Sequence, residues 1–257
     1  MSIPSDSQNP YEIDIKKFIL DNQHLFGSFG KARVVFEKAL PSHKVIADAL
    51  IFDEYRGIIG VEIKTEHDTT RRLNKQLGAY ESLADDVWVV IHDSQYDKVL
   101  KVLDTYHHDT VGIITYSVFE DTIIAGIVRE PSRSAQFRSK NALRMLWKKE
   151  LAVIANASMS AEFISQAKLQ AQMDVFDASG HLVPITRGTK NVDGHSMSVS
   201  MRLSKEAMIT IITKRLGLLG AHQLVVDMFI AGTKAPSKVL RYYHFKEPED
   251  VVEEVYD

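Results

Sequence analysis

The chain has 257 residues, 45% hydrophobic and 25% charged, which is enough apolar material for one good core and a smaller second one and argues against disorder. It contains no cysteine, so disulfides and thiolate metal sites are excluded, and a reducing, cytoplasmic setting is expected. The net charge of −3 hides an asymmetry: residues 1–130 hold 14 Lys/Arg against 21 Asp/Glu, whereas 131–257 hold 17 against 13.

The opening MSIPSDSQNPYEID lacks a basic start followed by an apolar run, so no targeting segment is expected, and no stretch reads as long enough to span a bilayer. Residues 10–25 space Ile13, Phe18, Ile19 and Leu25 at a helical period. KARVVFEKAL reads as a first strand. VIADALIF and GIIGVEIK follow as two strands joined by DEYRG, a loop with hairpin residues. In DTTRRLNKQLGAYESLA the period changes to helical, with Asp68 or Thr69 as the expected N-cap. DDVWVVIH reads as a buried strand, SQYDKVLKVLDTY as an amphipathic helix, and VGIITYS with DTIIAGIV as a closing strand pair.

Residues 1–130 therefore read as one α/β domain, a mixed sheet with flanking helices. REPSRSAQFRSK, polar and carrying Pro131, is the expected boundary, and 131–257 reads as a mainly helical basic region. Helices are expected over KNALRMLWKKELAVIAN, over 161–176 and, around GLLG, twice within 204–232; GHLVPITRGTKNVDGHSMSVSMRL suggests a loop or small hairpin. The pair around GLLG is compatible with a helix-turn-helix DNA reader and with an αα-hairpin packed for stability. Acidic residues crowd the end, KEPEDVVEEVYD, and without them residues 131–246 hold 17 Lys/Arg against seven acids, a balance that suits a polyanion partner or a solvated basic surface.

Charge inside the two apolar strands is the informative anomaly. Strand alternation puts Glu62 and Lys64 on one face and Val61 and Ile63 on the other. A hairpin through DEYRG can bring Asp48 beside Glu62, where two carboxylates repel unless a divalent cation lies between them. Mg²⁺ favours a few carboxylates plus water and phosphate, and a lysine beside it suits phosphodiester hydrolysis. A surface ion pair on a half-exposed strand accounts for the same residues more plainly.

The acid, the E-x-K triplet and the helix that follows resemble the PD-(D/E)xK nuclease superfamily, with its restriction-endonuclease-like fold. Asp48 matches the first acid, Glu62 the second and Lys64 the lysine, while Ala47 replaces the usual proline. QLGAY has the Q-x-x-x-Y form of RecB-like members, and DTTRRLNKQLGAY with WKKEL resembles a small bacterial and phage branch. The resemblance implies a Mg²⁺- or Mn²⁺-dependent deoxyribonuclease, expected to be an endonuclease in a phage, mobile-element, repair or defence context. Asp48 and Glu62 would bind the metal with the Ile63 carbonyl as a third ligand. Lys64 and Gln76 would complete the catalytic set, Arg72 and Tyr80 would meet DNA, and Glu12 would be an extra acid.

The alternatives are a catalytically idle module that binds nucleic acid or a partner, and a subunit of a larger restriction or defence assembly. DNA is the expected partner, with a homo-oligomer or partner subunit left open and no membrane. Trp147 is expected in the core, and His107 and His108 in a loop, since no His pair has zinc spacing. No P-loop or G-x-S-x-G elbow is present.

Overall fold

The computed structural model describes residues 10–41, 44–157, 203–233 and 236–245, side chains of 10–13 and 237 excepted. The helix expected over 161–176, nearly all of the loop or hairpin over 180–203 and the acidic tail lie outside these residues. The chain divides into two compact units, 1–141 and 142–257.

The first unit is a six-stranded mixed sheet in the order β1 (Ala32–Ala39), β2 (Ile46–Asp53), β3 (Gly57–Lys64), β4 (Asp86–His92), β5 (Gly112–Phe119) and β6 (Thr122–Arg129). β1 through β3 run antiparallel, β3 through β5 parallel, and β6 antiparallel to β5. The parallel strands are linked by α2 (Leu73–Glu81) and by α3 (Tyr96–Thr105), while α1 (Pro10–Asp21) precedes the sheet. This is the mixed α/β sheet with flanking helices that the strand and helix periods predict.

β3 and β4 are central and covered on both faces, which is why they read as continuous apolar runs. One face packs Ala49, Ile51, Val61, Ile63, Trp88 and Val90 against Ile15 and Ile19 of α1. On the other face Tyr80 of α2 lies so close over Gly60 that a Cβ there would strike its ring. The β2–β3 turn is fixed by Asp53, whose Oδ1 accepts from the backbone N–H groups of Tyr55 and Arg56 at 2.8 Å, and by Gly57 at φ 84°.

Residues 131–141 fold back on this unit: Ser132 N donates to Thr110 O at 2.9 Å, and Arg138 N to Ser82 O at 3.2 Å. In the second unit α5 (Lys148–Ala157) packs on α6 (Lys205–Ala231) and α7 (Pro236–Leu240). Together with the short α4 (Lys140–Arg144), these make the described C-terminal region helical.

Several details differ from the sequence expectations. The first helix ends at Asp21 and a 3-10 turn, Gln23–Phe26, takes the rest of its predicted span. α2 starts at Leu73, because Asp68 Oδ2 instead accepts from Thr65 N at 2.7 Å and Thr65 Oγ1 at 2.8 Å, closing a turn after β3. The single helix expected over 140–156 breaks at Met145–Trp147. There Met145 and Leu146 donate back to Ala142 O and Leu143 O, and Glu150 Oε2 accepts from Trp147 N at 2.7 Å to start α5. Trp147, expected in the core, is 74% exposed at that start.

Where the sequence alone predicts no segment of membrane-spanning length, α6 is long and apolar enough to cross a membrane by length and composition, with a mean hydropathy of 1.2. Gly217, at φ 73° and ψ 167°, interrupts its helical path, so two helical stretches flank this glycine of the GLLG segment. Leu224, Val225 and Phe229 are buried, and core helices of this kind meet the same length test.

Candidate active site

The β2–β3 hairpin pairs Ala49 with Val61, and one further step of that register aligns Asp48 with Glu62. Asp48 Oδ2 accepts from Ile63 N at 2.8 Å, which locks the carboxylate to the strand that carries Glu62 and Lys64. The two acids that are 14 positions apart in sequence are thus neighbours because the turn is short and its register fixed.

Lys64 Nζ donates to Glu62 Oε1 at 2.6 Å and to Gln76 Oε1 at 3.4 Å. Glu62 is fully buried and its other oxygen, Oε2, has no hydrogen-bond partner. Burial and the neighbouring Asp48 charge raise the Glu62 pKa from its ordinary 4.5 to about 7, against the opposing pull of Lys64 and the Tyr80 hydroxyl. An orphaned buried carboxylate oxygen beside a second carboxylate is costly unless a cation or proton shares it. The donor set therefore fits a divalent cation held by Asp48 and Glu62, completed by backbone carbonyl and water.

Tyr80 was expected to reach nucleic acid, and the structure corrects this. It is completely buried; its hydroxyl accepts from Asp48 N at 2.8 Å and donates to Val61 O at 3.0 Å. Burial and then the charges of Glu62 and Asp48 push its pKa well above the ordinary value, so it stays a neutral bridge between the two acid-bearing strands. Gln76 shares the same helix face one turn earlier, which is why it meets Lys64. Arg72 is exposed at the start of α2. Glu12 falls in α1, but its side chain lies outside the described residues. Ile63 is buried beside the site, its N–H committed to Asp48.

Two supports escape sequence reasoning. His108 lies in a loop, as expected, but is buried there: its Nδ1 lies 2.7 Å from Glu81 Oε2 and its Nε2 lies 3.0 Å from Asn74 Oδ1, while Thr110 Oγ1 donates to Glu81 Oε1 at 2.8 Å. This network holds both ends of α2, the helix that carries Gln76 and Tyr80. Gln95 donates from Nε2 to Glu66 O at 2.6 Å, fixing the chain just past Lys64. A buried Glu at the end of an amphipathic helix was the available signal, but nothing in the spacing pairs it with a histidine 27 residues on. Among the described residues no three His, Asp or Glu side chains converge to hold a metal.

The family model of bacteriophage P4 protein cII matches residues 5–216, most of the chain. The chain belongs to the bacteriophage P4 protein cII family. No curated protein matches it. Among solved structures it is similar to SPO1766, a protein of unknown function from Silicibacter pomeroyi, at 14% identity and a TM-score of 0.32, over 61% of this chain and 86% of that one. It is also similar to Pyrococcus furiosus SfsA in complex with Ca²⁺, at 15% identity and a TM-score of 0.33, over 48% of this chain and 64% of that one.

Proposed function

We propose that this member of the P4 cII family is a divalent-metal-dependent nuclease of the PD-(D/E)xK type that hydrolyses phosphodiester bonds of DNA. The observation that carries the reading is the buried, unpartnered Glu62 Oε2 next to Asp48, with Lys64 bound to the other Glu62 oxygen. Most buried carboxylate oxygens find a hydrogen-bond donor; Glu62 Oε2 has none and lies beside a second acid.

Asp48 and Glu62 would hold Mg²⁺ or Mn²⁺, with the Ile63 carbonyl as a third ligand. Such a cation supplies a water of lowered pKa and offsets negative charge on the phosphate. The chain's own residues do the positioning. Lys64, held between Glu62 and Gln76, orients the attacking water and meets the charge that develops on the phosphate. Gln76 keeps the lysine extended along the face of β3. Tyr80 fixes the spacing of Asp48 and Val61 and so keeps the two acids together. Arg72, exposed at the start of α2, neutralises a flanking phosphate. The nuclease core is residues 1–130 extended by the segment that folds back through Asn141, and the basic remainder up to residue 246 holds the nucleic acid.

The test is incubation of the pure protein with linear duplex, circular duplex and circular single-stranded DNA in Mg²⁺, Mn²⁺ or EDTA. Cutting of circles only with metal is the expected result and makes the protein an endonuclease. Metal-independent DNA binding without cutting identifies a binding module instead.

A further inference from the structure

The six-stranded sheet ends in two edges of opposite character. β1 is guarded: it carries Arg33, Glu37 and Lys38, and Glu37, at φ 53°, accepts from Lys16 Nζ at 2.7 Å. Charge and a local kink of this kind are how edge strands refuse further pairing. β6 has neither over most of its length. Thr122–Val128 hold no charged side chain, and no residue of the strand is buried. Its one irregularity, opposite Ile113 and Ile114, falls at the Ile127–Arg129 end.

The β5–β6 hairpin also leaves apolar surface open. Phe119 is 63% and Ile124 57% exposed, and Val118, Ile127 and Val128 are exposed with them. A cluster of large apolar side chains around an unpaired strand edge marks an interaction surface. Gly126 points the same way. Its φ is not positive, and a Cβ there would meet nothing within 4 Å, so no contact inside the chain calls for a glycine in mid-strand. Glycine weakens a strand and often marks a place where another backbone comes close.

An open edge presents a row of N–H and C=O groups, and its complement is another strand. The charges at its two ends select which strand. Asp121 precedes the uncharged run and Arg129 closes it. Among the described residues neither has an oppositely charged partner; the Arg129 guanidinium donates to the carbonyls of Val111 and His108. An antiparallel copy of the same segment brings Asp121 of each chain toward Arg129 of the other. That register centres on Ala125, with Ile123 opposite Ile127 and Ile124 opposite Gly126, a large side chain beside bare backbone.

We propose that β6 is a dimerisation edge that pairs antiparallel with β6 of a second copy of this chain, about a two-fold axis through Ala125. The two six-stranded sheets then become one continuous sheet, of a width that open α/β sheets reach. The interface is isologous, so each contact is made twice. Pairing satisfies the edge groups of both chains and takes Ile124 and Ile127 of each out of water.

The chain contains no cysteine, so single introduced cysteines report the pairing cleanly. The full chain is followed by analytical ultracentrifugation from about 1 to 100 µM, and Ala125→Cys and Leu20→Cys are oxidised under the same conditions. A monomer–dimer equilibrium is expected. Ala125→Cys should form disulfide-linked dimer readily, since Cα atoms of paired residues lie within disulfide reach, and should do so much faster than Leu20→Cys, exposed on α1. Ile124→Lys changes an exposed position and acts twice across the axis, so it should weaken the dimer at least about tenfold. Denaturant unfolding of each variant checks that the fold is kept. A dimer as tight in Ile124→Lys, or Ala125→Cys linking no faster than Leu20→Cys, would overturn the proposal. So would a wild type that stays monomeric throughout, which would leave the edge to a strand of a different protein.

Discussion

Glu62 is where the electrostatics of the site are most exacting. It titrates at about 7 in the fold against 4.5 ordinarily, so between those values the folded chain keeps a proton that the unfolded chain has lost. Stability of the metal-free protein therefore falls as pH rises from about 4.5 to about 7 and then levels off. Glu62→Gln removes that slope. In EDTA the variant should unfold at higher denaturant than the wild type at pH 8, by up to about 3 kcal/mol, and nearly together with it at pH 4. A wild type whose stability does not fall across that window would show that the carboxylate is not held in the raised state. Tyr80→Phe makes a different point. It leaves Asp48 N and Val61 O without their shared hydroxyl, costing about 1–3 kcal/mol in denaturant unfolding. It should also weaken Mn²⁺ binding measured by calorimetry, although Tyr80 touches no solvent.

At the scale of elements, α2 matters because it delivers Gln76 and Tyr80 to β3 while His108, Glu81, Asn74 and Thr110 hold it in place. His108→Ala strands the buried Glu81 carboxylate and should cost about 3–5 kcal/mol in denaturant unfolding, with His108→Gln costing less because one donor to Glu81 survives. The β2–β3 hairpin was legible in the sequence: its apolar runs, the Asp-and-Gly loop and the parity of Glu62 and Lys64 are local signals, and they place Asp48 opposite Glu62. The parity of Gln76 and Tyr80 on one helix face was legible too, but not that the first meets Lys64 while the second is sealed between strands. That depends on how closely α2 approaches Gly60, a tertiary contact. The break at Met145–Trp147 escaped for a similar reason. Apolar spacing runs straight through 140–156, and only the Glu150 cap on Trp147 shows that a new helix begins there.

At the scale of the whole molecule, the first unit has its own two-faced core, and its sheet, α1, α2 and the returning segment to Asn141 form a closed set. Residues 1–141 expressed alone should therefore unfold cooperatively and retain Mn²⁺ binding, measured by denaturant titration and calorimetry; a non-cooperative transition would show that the second unit is needed to complete the core. The 131–246 stretch, with 17 Lys/Arg against seven acids, should contribute affinity for DNA that falls steeply with salt. Membership of the P4 cII family covers residues of both units.

Asp48, Glu62 and Lys64 are proposed to form a working phosphodiesterase site. The most direct measurement is the rate of plasmid nicking by wild type and Lys64→Ala at saturating Mn²⁺, with Mn²⁺ affinity recorded for both. Metal-dependent nicking by the wild type is expected, with a loss of at least about a hundredfold in the variant while metal is still bound. Equal rates in the two proteins, or no nicking by pure wild type in any divalent metal, would contradict it.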